Sequence, residues 1–114
     1  MEDCVFCQII ADKASSKVVY RDEQVTAFLD RRPATPVHLL VVPNRHITSL
    51  NQVNKEHEGL LGHMIVVAKQ LAKEQGVDQD GYRLVINTGP NAGQSVFHLH
   101  LHLIAGRPLP IYLG

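Results

Sequence analysis

In the run Phe97-His98-Leu99-His100-Leu101-His102-Leu103-Ile104 an imidazole occupies every second position. Extended backbone sends successive side chains to opposite faces. The three histidines are therefore expected to share one face, displayed, while Phe97, Leu99, Leu101 and Leu103 pack on the other. Positions i, i+2 and i+4 spread over roughly 13 Å of strand, too far for all three rings to meet one metal ion through bonds of about 2 Å. A surface strand whose outer positions merely happen to be histidine is the bland alternative. Three in register point instead to catalysis, because imidazole, with an unperturbed pKa of about 6.5, is largely neutral near neutral pH and can attack phosphorus or carry a proton. The preceding Thr88-Gly89-Pro90-Asn91-Ala92-Gly93-Gln94-Ser95 is too rich in Gly and Pro to be regular. Its glycines can expose backbone N–H groups to a phosphate oxygen, and Ser95 adds a hydroxyl. Taken alone, that loop also reads as a plain hairpin connection.

The second group with chemistry lies at the other end of the chain. Cys4-Val5-Phe6-Cys7 holds the only two cysteines, at the spacing of half a zinc site. That spacing is equally compatible with a redox pair or with inert thiols. Met1-Glu2-Asp3 does not begin a basic, apolar, small-residue leader, so a structural disulfide is the less favoured reading and a cytoplasmic protein is expected.

These residues need a scaffold, and the remaining pattern supplies one. Residues 4–10 read as a short helical turn; Val18-Val19-Tyr20 and residues 25–30 read as strands about a turn at Arg21-Asp22-Glu23. After the prolines of Arg31-Arg32-Pro33-Ala34-Thr35-Pro36, the nearly continuous apolar run His38-Leu39-Leu40-Val41-Val42 suits a central strand covered on both faces. Between residues 54 and 75, Leu60, Leu61, Met64, Val67, Ala68, Leu71 and Ala72 recur at helical spacing, with Gly76 as terminator. Residues 82–87 and 97–104 complete the strands. Strands, one long helix, then strands predict an α+β fold with a mainly antiparallel five-stranded sheet and a short N-terminal helix. His57 and His63, six apart on the long helix, cannot form an i, i+4 ligand pair and read as structural or solvated.

The chain has 114 residues, enough for one domain over residues 1–114, and a chain of this size should bury about two thirds of its unfolded surface. Eleven Lys+Arg balance eleven Asp+Glu, leaving no excess positive charge for many phosphates, so a nucleic acid polymer is a poor partner. No stretch approaches about 18 uninterrupted apolar residues, so no membrane partner is expected.

The string His98-Leu99-His100-Leu101-His102-Leu103-Ile104 resembles the signature of the histidine triad (HIT) family, and Gly93-Gln94-Ser95-Val96 precedes it as in the histidine triad nucleotide-binding (Hint) branch. The resemblance runs through Phe6, Phe28-Leu29-Asp30, residues 38–46, Leu60-Leu61-Gly62-His63, Tyr82-Arg83 and Ala105-Gly106-Arg107. It implies a purine nucleoside phosphoramidate hydrolase in which His100 attacks the α-phosphorus and forms a nucleotidyl-imidazole that water then hydrolyses. By the same mapping His102 contacts the phosphate, Ser95 lies near the leaving amine and His38 helps orient the triad; read from the residues alone, His38 opens an apolar strand and could equally be structural. Asp30 matches the carboxylate that accepts both ribose hydroxyls, a role its two acceptor oxygens suit; otherwise it is a turn-forming Asp before Pro33. Val5, Phe6, Ile9 and Phe28 match positions that sandwich the purine, and Asn87, Gly93 and Gln94 match the phosphate-binding loop. Arg31 stands where relatives carry an apolar base-pocket residue, and residues 108–114 are unlike the family's tail, which reaches towards the partner's active site.

Bacterial-type members with this cysteine pair imply a structural zinc completed by two histidines, here His46 and His98. Four protein ligands would leave no open coordination position and would stiffen the strand that aims His100. The family also implies a homodimer through the long helix. Two other functions stay open: a nucleotide-binding regulatory module, and a dinucleoside polyphosphate hydrolase of the Fhit type, which the Hint-like loop disfavours.

Overall fold

The computed structural model describes residues 3–111. Five strands, β1 (Val18–Arg21), β2 (Val25–Leu29), β3 (Val37–Pro43), β4 (Tyr82–Val85) and β5 (Leu101–Ala105), form one sheet in the order β1-β2-β3-β5-β4. Every neighbouring pair is antiparallel. Two helices, α1 (Val5–Ile10) and α2 (Glu58–Glu74), complete the α+β architecture expected from the pattern. Residues 1–2 and 112–114, including the end of the atypical tail, lie outside the described residues.

The central place of β3 follows from its composition. Leu39 and Val41 join the apolar face of α2, with Met64, Val67, Ala68 and Leu71, in the larger core; Leu40 and Val42 join Phe6, Ile9 and Phe28 beneath α1. Fully burying one such side chain contributes about 1.5–3 kcal/mol, so both faces favour the inner position. Cross-strand register then fixes what meets what: Leu40 is opposite Phe28 on β2 and His102 on β5, and His38 is opposite Ile104.

The β1–β2 turn is held by Asp22. Its Oδ1 accepts the amides of Gln24 and Val25, both at 2.8 Å, while Oδ2 lies 2.7 Å from the Tyr20 hydroxyl and 2.6 Å from His63 Nε2 on α2. Burial opposes ionisation, but these hydrogen bonds outweigh it and hold the Asp22 carboxyl well below the usual carboxylate range. His57 is equally structural, being buried with its Nδ1 accepting the Asn54 amide in a capping box ahead of α2.

Five expectations are corrected. The last strand begins at Leu101 rather than Phe97, because β3 ends at Pro43, which has no N–H for a further ladder bond; the amide of Leu99 bonds instead to the carbonyl of Ile47 at 2.7 Å. Phe97 therefore escapes the packed face and is 52% exposed. The histidine face is not displayed: α1 lies across it, leaving His98 fully buried and His100 only 6% exposed. The long helix starts at Glu58, after a single 3-10 turn over Lys55–His57, and β4 ends at Val85.

Candidate active site

His100 is set by the backbone immediately before it. Its Nδ1 lies 2.7 Å from the carbonyl oxygen of His98, which can only accept, so Nδ1 carries the proton and Nε2 keeps a free lone pair. The Phe6 ring packs edge-on against it at 5.2 Å between centroids. Burial pushes the His100 pKa down, against the opposing pull of the His98 carbonyl and the Asp30 charge, which keeps the ring in its nucleophilic form near neutral pH.

His102, one pleat further on, has the opposite tautomer. The Ala34 amide donates to His38 Nδ1 at 2.9 Å, so the His38 proton sits on Nε2; that Nε2–H donates to His102 Nδ1 at 2.9 Å, and the remaining proton of His102 is on Nε2. Asp30 Oδ2, 3.4 Å from His38 Nε2, adds a negative charge behind the pair. Burial first, then the neighbouring His100 and His38, push the His102 pKa down to about 4. Burial likewise lowers His38 against the pull of Asp30. Two adjacent imidazoles, 4.9 Å apart between centroids, thus present a lone pair and an N–H donor side by side. That is what displacement at a charged phosphorus requires: one group to attack, another to meet the developing charge.

Both rings line a cleft of about 380 Å³. One wall is apolar, from Val5, Phe6 and Ile9 of α1 with Phe28 and Leu40 of the sheet; the rest comes from Asp30, Arg31, Arg32, Ser95 and Val96. Leu40, Arg32 and Val96 were missed in the sequence. Leu40 could have been found, since it stands two positions after His38 on the same strand and so on the same face; Val96 is betrayed only by its neighbour Ser95, and Arg32 gave no signal. Asn87, Gly93 and Gln94 do not line the cleft. Gln94 is buried and its amide is taken up by the backbone: Oε1 accepts the Gly89 amide at 2.9 Å, and Nε2 donates to the carbonyls of Thr48 and Val96 at 2.8 and 3.2 Å. Gly89 and Gly93, with φ of +84° and +81°, take backbone conformations that other residues resist, and together they set where Ser95 stands.

The cysteine pair is drawn to the first histidine. Cys4 caps α1, its Sγ accepting the Cys7 amide at 3.4 Å. His98 donates from Nε2 to the Pro43 carbonyl at 2.8 Å, leaving the lone pair of Nδ1 3.4 Å from Cys4 Sγ and 3.5 Å from Cys7 Sγ. His46 Nδ1 is 3.4 Å from Cys7 Sγ, and all four ligand atoms lie within 4.8 Å of one another. A zinc ion with Zn–S of about 2.3 Å and Zn–N of about 2.0 Å has tetrahedral S···N edges of about 3.5 Å, which these three sulfur–nitrogen distances match. Burial, then the neighbouring Cys4 thiol, push the Cys7 pKa up; a cation among them would reverse that preference and make both sulfurs thiolates. Asp30, His38 and His102 also approach one another within ligating range. Their 2.9 Å nitrogen–nitrogen contact, however, is a hydrogen bond, shorter than the edge of about 3.3 Å between two nitrogens on zinc.

The family model described as "Scavenger mRNA decapping enzyme C-term binding" matches residues 3–108. The chain is 47% identical over 108 residues to the purine nucleoside phosphoramidase of Escherichia coli K12, covering 95% of this chain and 91% of that protein. Among solved structures, a histidine triad protein from Clostridium difficile superposes with a TM-score of 0.95 at 42% identity, covering 99% of this chain and 98% of that one. A zinc-bound histidine triad family protein from Mycobacterium smegmatis superposes with a TM-score of 0.81 at 37% identity, covering 93% and 76%.

Proposed function

The chain belongs to the histidine triad (HIT) family, and on that premise we propose that it hydrolyses the P–N bond of purine nucleoside 5′-phosphoramidates through a nucleotidyl-imidazole on His100. The carrying observation is the pair of complementary tautomers, a free Nε2 on His100 beside an Nε2–H on His102. His100 Nε2 attacks the α-phosphorus, a P–N(imidazole) bond forms, and the P–N bond to the leaving amine breaks; the departing nitrogen keeps the electron pair and takes a proton from solvent water, with the Ser95 hydroxyl beside it. Water then attacks the same phosphorus, returning the electron pair to His100 and releasing the nucleoside monophosphate. The Nε2–H of His102 meets the charge on the phosphoryl oxygens in both steps, and His38, anchored by the Ala34 amide, keeps that donor in the required tautomer.

Asp30 receives the ribose hydroxyls, and Val5, Phe6, Ile9 and Phe28 hold the purine by apolar contact. Asn87, Gly93 and Gln94 act at one remove by shaping the loop that carries Ser95. The same reading gives Cys4, Cys7, His46 and His98 a structural zinc, supported by their donor spacing and by the zinc-bound relative. When bound there it supplies a cross-link between α1 and the histidine segment, not an open coordination site for the reaction. We also read the chain as one domain that dimerises through α2, where Ile65 and Val66 are each 51% exposed; a dimeric mass in light scattering checks this. Among the described residues no helix is long and apolar enough to cross a membrane, and a cytoplasmic setting completes the reading.

The test is mass spectrometry of protein quenched during turnover of adenosine 5′-phosphoramidate, comparing wild type with His100→Ala. A nucleotidyl adduct on His100 in wild type and none in the variant is expected; unchanged turnover by the variant overturns the assignment.

A further inference from the structure

Two guanidinium groups of the cleft have no partner among the described residues. Arg21 forks onto Asp12, Arg83 donates to the Pro110 carbonyl and Arg107 to the carbonyls of Pro108 and Ala34. Arg31 and Arg32 are exposed and line the cleft beside Asp30, yet neither side chain makes a hydrogen bond or ion pair among the described residues. Asp30 itself is engaged elsewhere, Oδ1 accepting the Arg32 amide at 2.8 Å and Oδ2 facing His38. The cleft therefore pairs an apolar wall, which can stack on any purine, with a rim of free planar donors.

We propose that Arg31 and Arg32 make this cleft select guanine over adenine. The inference rests on the nucleotide-hydrolase reading above and adds the base that the substrate carries. Guanine presents two adjacent acceptors, O6 and N7, whereas adenine presents N7 beside an N6 amino group. A guanidinium has donors only, in a planar fork that matches the guanine edge and meets the adenine amino group donor to donor. Phe6, Phe28 and Leu40 offer that amino group no acceptor in compensation. A bidentate contact of this type discriminates bases by about five- to 150-fold. On an exposed rim, where water competes, the lower part of that range applies, about tenfold.

The experiment measures Kd for GMP, IMP, 7-deaza-GMP and AMP, and kcat/KM for guanosine and adenosine 5′-phosphoramidate, in wild type and in Arg31→Ala/Arg32→Ala. Both positions are exposed, so the variant is expected to melt like wild type. Wild type should favour GMP and IMP over AMP by about tenfold, 7-deaza-GMP should lose most of that advantage, and the variant should bind all four alike with AMP little changed. Equal wild-type affinity for GMP and AMP overturns the proposal, and so does a variant weakened equally towards both, which would mean that the arginines hold the phosphate or stack without reading the base. These failures leave the hydrolase reading standing, since that reading fails only if neither phosphoramidate leaves an adduct on His100.

Discussion

His98 and His100 lie two residues apart on one face of the same segment, and each donates one ring N–H to a backbone carbonyl, but from opposite nitrogens. His98 uses Nε2 on the Pro43 carbonyl and turns Nδ1 to two sulfurs; His100 uses Nδ1 on the His98 carbonyl and keeps Nε2 free in the cleft. One imidazole thereby becomes a ligand and the next a nucleophile, although both are buried histidines on the same face of one segment. The backbone acceptor, not the side chain's identity, decides the chemistry. The two regions also share a wire: the peptide carbonyl of the would-be metal ligand is the group that fixes the tautomer of the nucleophile.

On the cleft side, beyond removing His100 itself, the largest effect is expected from His38→Ala. It removes the donor that fixes the His102 tautomer, so turnover should fall by about 10²–10³-fold while AMP binding survives, measured by single-turnover kinetics and calorimetry. Cys4→Ser probes the other side. It should abolish stoichiometric zinc and lower stability by about 3 kcal/mol, read by metal analysis and denaturant melts, with the His100 adduct still forming, only more slowly. Wild-type zinc content and stability in that variant would separate the cysteine pair from any metal.

Mild acid should produce the smallest effect. His100 and His102 have folded pKa values below their unfolded value of about 6.5, so the folded state binds fewer protons in that window and acid favours unfolding. Their contribution to stability is complete above that value and is lost as pH falls towards the His102 value of about 4. In kinetics, the acid limb of kcat/KM, where His100 gains a proton, should be centred below the unperturbed value of about 6.5; a limb centred above it would mean that burial does not govern the ring.

What could be read beforehand divides along the same line. Period-two spacing was enough to put His98, His100 and His102 on one face, and the apolar run at 38–42 was enough to make β3 central, because both are local properties of extended chain. The cover over that face was not legible, since α1 reaches it only through tertiary packing of Phe6 against Phe28, His98 and His100. Nor were the tautomers, which depend on carbonyls and amides as distant in sequence as Pro43 and Ala34. Gln94 shows the same limit: its type suggests ligand contact, whereas its amide is engaged by the backbone of Gly89, Thr48 and Val96.

Long-range ¹H–¹⁵N correlation of the ring nitrogens in ¹⁵N-histidine-labelled protein near neutral pH reads the tautomers themselves. His100 should be protonated on Nδ1, with His98 and His102 protonated on Nε2. A His100 resonance pattern with the proton on Nε2 would leave no lone pair facing the cleft and would refute its assignment as the nucleophile.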